Sequence, residues 1–73
     1  MDEDEIVAFL VDKFEADARA HGNIRVPVKI GAGIAPGTQP LGVWLRVEGD
    51  LRERLGPSYV VTMDGTLIAR RVL

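Results

Sequence analysis

Apolar residues in the first third of the chain recur with a helical period. Ile6, Leu10 and Phe14 stand four apart, with Val7 and Ala18 beside them. At about 100° per residue they share one face, and Asp12, Glu15 and Arg19 lie opposite. Phe9 and Val11 widen the apolar arc on its flanks, so a second contact surface for this helix is expected. Asp2 to Glu5 place negative charge where a helix start exposes unpaired N–H groups. His21-Gly22-Asn23 supplies a base for the last turn and then residues that tolerate left-handed backbone. The pattern predicts a helix from about Asp4 to His21.

The period then changes to two. Ile24, Val26, Val28 and Ile30 alternate with Arg25, Pro27 and Lys29, which predicts a half-buried strand. Pro27 cannot donate to a ladder, so the strand is expected at a sheet edge. Residues 31–42 carry four glycines and two prolines and predict an irregular loop. Val43-Trp44-Leu45-Arg46-Val47-Glu48 alternates again and predicts a second strand, with Trp44, Arg46 and Glu48 opposite its aliphatic face. Gly49 then turns the chain. Asp50 and Glu53 have the spacing of a capping box for a short helical turn anchored by Leu51 and Leu55 and ended by Gly56-Pro57. Tyr59–Met63 and Thr66–Val72 flank Asp64-Gly65, a two-residue hairpin signal. That turn pairs Met63 with Thr66, Val61 with Ile68 and Tyr59 with Arg70 on one face, and Val60 with Ala69 and Thr62 with Leu67 on the other. Both faces then carry apolar residues, so a central hairpin, or one meeting a partner, is expected. The expected fold class is α+β: one small domain over residues 1–73, with an N-terminal helix packed on an antiparallel sheet of about four strands, in the order α-β-β-short α-β-β.

Composition narrows the functions. Apolar residues make up 47 % of the 73, which is the composition of a folded chain. Phe9, Phe14, Trp44 and Tyr59 are the only aromatics, so the core must be aliphatic. A core of this size supplies about 3–5 kcal/mol unaided. With no cysteine and one histidine, disulfides, thiolate metal sites and a structural zinc site are excluded. A protein partner, most simply a second copy, is the remaining common support. The longest uninterrupted apolar run, Ile6–Val11, falls far short of the roughly 20 residues a membrane helix needs. The acidic N-terminus is the opposite of a signal peptide's basic start. A cytoplasmic protein without membrane contact is expected.

Charge changes sign along the chain. Residues 1–23 carry seven acids and two bases, and residues 24–73 carry four acids and seven bases. An acidic helix beside a basic sheet edge, in its own chain or a neighbour's, is the expected arrangement. Nucleic acid is a weaker alternative using Arg46, Arg52, Arg54, Arg70 and Arg71. The overall charge of −2 opposes it, and so does the strand alternation that sends Arg70 and Arg71 to opposite faces.

Chemical signals are sparse. Gly31-Ala32-Gly33 follows a strand, but Pro36 occupies the position of the third glycine of a dinucleotide fingerprint and Gly37, Pro40 and Gly42 forbid the helix behind it. His21 at a helix end is explained by the helix dipole, and neither Ser58 nor Thr62 sits in a nucleophile motif. The expectation is a non-catalytic protein-interaction or assembly module that self-associates, with no cofactor. Its expected contact residues are Phe9, Val11, Trp44, Arg46, Tyr59 and Arg70. Trp44 has a second reading, as a side chain over which the Gly/Pro loop or the short helix folds as a lid. An enzyme or ligand-binding domain using loop 31–42 near His21 is the remaining alternative.

Overall fold

The computed structural model describes residues 2–73. Helix α1 (Glu3–His21) leads to strand β1 (Asn23–Pro27), then helix α2 (Leu41–Leu55), a 3-10 turn (Gly56–Ser58), and strands β2 (Tyr59–Met63) and β3 (Thr66–Arg71). The strands form one antiparallel sheet in the order β1-β3-β2. The fold is α+β as expected, with three strands rather than four.

Helix α1 starts and stops where its sequence signals stand. The Asp2 carboxylate caps the first turn by accepting from the Glu5 N–H at 2.8 Å. Gly22, at φ +81°, closes the last turn through its N–H to the Ala18 carbonyl, a conformation open to glycine without strain. The buried stripe is Val7, Val11, Phe14 and Ala18, with Ile6 and Leu10 at its margin. The centre of the stripe therefore lies about one residue from the Ile6-Leu10-Phe14 line. The cause is that α1 packs against both α2 and the sheet, which is the second contact its wide arc called for.

Residues 43–48 are helical, and this overturns the expected second strand. Their alternation spans six residues, whereas Val43, Val47, Leu51 and Leu55 repeat every four residues across the whole of α2 and are all buried. The longer pattern satisfies every backbone hydrogen bond within the segment and places one complete stripe against the core. Gly49, expected to turn the chain, lies inside the helix at the ordinary glycine cost of about 1 kcal/mol. Asp50 is exposed within the helix rather than capping one. Pro40 precedes the first turn, and its carbonyl accepts from Val43 and Trp44.

Strand β1 is the sheet edge that Pro27 called for. It ends at Pro27, earlier than its alternation runs, and Ile30 leaves the sheet for an exposed bridge to Gln39. The loop is pinched at its base, where Gly31 N–H donates to the Gln39 carbonyl and Gln39 N–H to the Lys29 carbonyl. Gly31 allows a close approach there: a Cβ would stand 3.0 Å from the Thr38 Cβ.

The hairpin register is one residue away from the expected one. Met63 pairs with Leu67, Val61 with Ala69 and Tyr59 with Arg71. Asp64-Gly65-Thr66 acts as a three-residue connection with Gly65 at φ +72°. Burial explains the choice. The observed register places Tyr59, Val61, Leu67 and Ala69 on one face, and all four are buried. The two-residue turn would have turned Leu67 and Ala69 to the other side.

Candidate functional site: the open face of the sheet

Both helices pack on the same face of the sheet. The opposite face carries no covering element among the described residues. Asn23 and Arg25 from β1, Val60 and Thr62 from β2, and Ile68 and Arg70 from β3 line a shallow depression of about 300 Å³ there. The register explains why these side chains meet: Arg25 stands beside Ile68, which stands beside Thr62, and Asn23 beside Arg70, which stands beside Val60. Arg25 and Arg70 are diagonal neighbours, about 7–8 Å apart at this spacing. Val60, 42 % exposed on the outer strand β2, and Ile68, half-buried on the central strand β3, form an aliphatic diagonal, and Arg70 and Arg25 form the parallel diagonal on one side of it.

The two arginines on this face differ from those on α1 and α2. Arg46 bonds Asp4 at 2.8 Å and lies 3.7 Å from Glu3. Arg54 bonds Asp12 and Glu15 of α1, while Arg19 bonds Glu15 and the Arg54 carbonyl. The hydrogen bond to Asp4 raises the Arg46 pKa, and the bonds to Asp12 and then Glu15 raise that of Arg54. Arg52 bonds Glu48 and the Val61 carbonyl. Arg71 lies over the Tyr59 ring and donates to its hydroxyl at 2.9 Å. Among the described residues, neither Arg25 nor Arg70 is in an ion pair. The acidic helix is thus matched helix to helix, by α2, rather than by a sheet edge. The reason is that Arg46 and Arg54 belong to a helix and not to a strand and a turn.

The edges of the sheet offer less. Pro27 removes one donor from β1, and Arg52 occupies the Val61 carbonyl on β2 at 2.9 Å. Both devices blunt strand addition.

The residues singled out from the sequence scatter. Val11 (1 % exposed), Trp44 (3 %) and Tyr59 (6 %) are core residues, so no contact surface of the folded chain includes them. Trp44 is neither an exposed anchor nor a side chain under a lid: α2 carries it into the core, and its indole N–H donates to the Lys29 carbonyl at 3.1 Å, tying the helix to the base of the loop. Phe9 is 58 % exposed on α1, away from the sheet face, and Arg46 holds the start of α1. Arg70 alone lies on the open face. The five arginines named for nucleic acid do not converge on one surface. His21 is exposed at the end of α1 and lines neither that depression nor the second one, between the start of α1 and the loop.

Arg25, Val60, Thr62 and Ile68 were not singled out from the sequence. The outward parity of Arg25 was legible in β1, but the hairpin register separated Ile68 from Val60. The usable signal was that a three-residue turn unites Val61 and Met63 with Leu67 and Ala69. No group of three or more histidine, cysteine or acidic residues among the described residues could hold a metal ion. No described helix is long and apolar enough to cross a membrane. Comparison with family models, curated proteins and solved structures finds no match to this chain.

Proposed function

We propose that the chain is a non-catalytic protein-interaction module whose docking surface is the open face of the sheet. One observation carries this reading. An aliphatic diagonal, Val60 and Ile68, runs beside a parallel diagonal of two guanidiniums that have no acidic partner among the described residues, on a sheet whose other face packs against the core. An exposed apolar patch with arginine beside it is the composition of an interface rather than of an idle surface. The blunted edges favour side-chain docking on the face over strand addition.

Self-association, expected from the small core, is not favoured through this face. A two-fold pairing would set Arg25 and Arg70 against the same residues of the second copy, and like charges across an interface cost several kcal/mol. Nucleic acid finds two guanidiniums on this face, few for binding driven by phosphate neutralisation, and a chain of net charge −2.

The test is site-specific photocrosslinking in native-cell extract, with benzoylphenylalanine at Thr62 on the open face and, separately, at Lys13 on α1. A discrete protein adduct from position 62 that is absent from position 13 is expected. An adduct from position 13 only, or from neither, contradicts the reading.

A further inference from the structure

Resting on the docking reading above, we infer that the open face takes one acidic amphipathic helix of a partner protein. Size and charge carry the argument. Three strands at about 4.8 Å spacing give a surface about 10 Å wide, and strands of five to six residues make it about 17–20 Å long. One helix is about 10–12 Å across and rises about 1.5 Å per residue, so a helix of roughly three turns fills the face without overhang.

The chemistry of that helix follows from what it must meet. Val60 and Ile68 call for aliphatic side chains along one stripe. Arg25 and Arg70 call for carboxylates beside that stripe; acids three or four positions apart on a helix flank stand about 5–6 Å apart, and the length of the arginine and glutamate side chains spans the difference from the arginines' diagonal separation of about 7–8 Å. Thr62 and Asn23 at the rim can accept hydrogen bonds from, or donate them to, the polar flanks of such a helix.

The chain's own acidic helix does not supply this occupant. Asp4, Asp12 and Glu15 already bond Arg46, Arg54 and Arg19, and the outer face of α1 points away from the open face. A copy docking there by its α1 would leave its own sheet face open, so the contact would be heterologous and produce a ring or filament rather than a closed pair. The fitting occupant is therefore a different chain.

The experiment uses the full chain labelled with ¹⁵N and three probes. The first is a helix-forming peptide of about 15 residues carrying a leucine stripe flanked by Glu pairs. The second is the same peptide with every Glu replaced by Lys, and the third is a short DNA duplex. The Glu peptide should shift the amide signals of Val60, Thr62, Ile68 and Arg70, and the Lys peptide should not. In the Arg25→Glu/Arg70→Glu protein the Glu peptide should weaken by about tenfold or more and the Lys peptide should gain binding. The Arg25→Gln/Arg70→Gln protein should lose the preference without reversing it. Equal response to both peptides, shifts centred elsewhere, or no response overturns the inference, as does a duplex that shifts the same amides more strongly than the Glu peptide. If these probes fail while position 62 still crosslinks, the acidic-helix inference falls and the docking surface stands. If the crosslink is absent too, the docking reading falls with it.

Discussion

The two faces of one three-stranded sheet obey different rules. On the covered face, Tyr59, Val61, Leu67 and Ala69 are buried beneath two helices, and no buried polar side-chain atom there is left without a partner among the described residues. On the open face, residues one position along the same strands alternate in charge and size, and among the described residues Arg25 and Arg70 lack the carboxylate partners that Arg46 and Arg54 have. A side chain on the covered face contributes to stability. One on the open face leaves stability nearly untouched and is available for recognition. The difference arises from strand alternation alone, so adjacent residues test it directly.

The largest contrast is expected between Val61→Glu and Val60→Glu. A buried, unpaired carboxylate costs more than the about 3–5 kcal/mol such a core provides, so Val61→Glu should be unfolded by circular dichroism. Val60→Glu should stay within about 0.5 kcal/mol of the parent in urea unfolding. Next, Leu67→Ala should lose about 2–5 kcal/mol, and Ile68→Ala less than about 1 kcal/mol. Equal losses for that pair would mean that the open face is packed in solution. A smaller effect, about 1 kcal/mol, is expected for Trp44→Phe, which removes the indole donor while the Lys29 carbonyl keeps its bond from Gln39. Loop amides near Gly31 should then exchange faster. The smallest effect belongs to Arg54→Gln. It should lower stability slightly at low salt and hardly at all in about 1 M salt, where charges are screened within about 3 Å.

Legibility differed between the two helices for a physical reason. Helix α1 carries its own punctuation, with acids at the start and Gly22 at the end, and its boundaries were readable within a residue. Helix α2 has none at its start: Pro40 offers no side-chain cap and the first turn holds no acid. Val43 to Glu48 then mimics a strand over six residues, and the four-residue repeat to Leu55 decides the matter only when read past Gly49. The edge position of β1 was legible because Pro27 has no donor. The hairpin was legible in its strands but not in its register, because Asp64-Gly65 fits a two-residue and a three-residue connection alike. Burial of Leu67 and Ala69 chooses between them. The open face inherits that ambiguity. Arg70 was recognised from its strand, while Ile68 and Val60 become neighbours only once the register is set. Trp44 and Tyr59 misled because large aromatics suit interfaces and cores equally, and here both are placed by elements that face inward.

The most direct measurement is the photocrosslinking yield from position 62 in the Val60→Glu protein, compared with the parent at equal folded fraction. With the open face serving recognition and not stability, the variant should keep the parent's urea midpoint and lose the adduct. An unchanged adduct, or an adduct lost only in proportion to unfolding, would contradict the account.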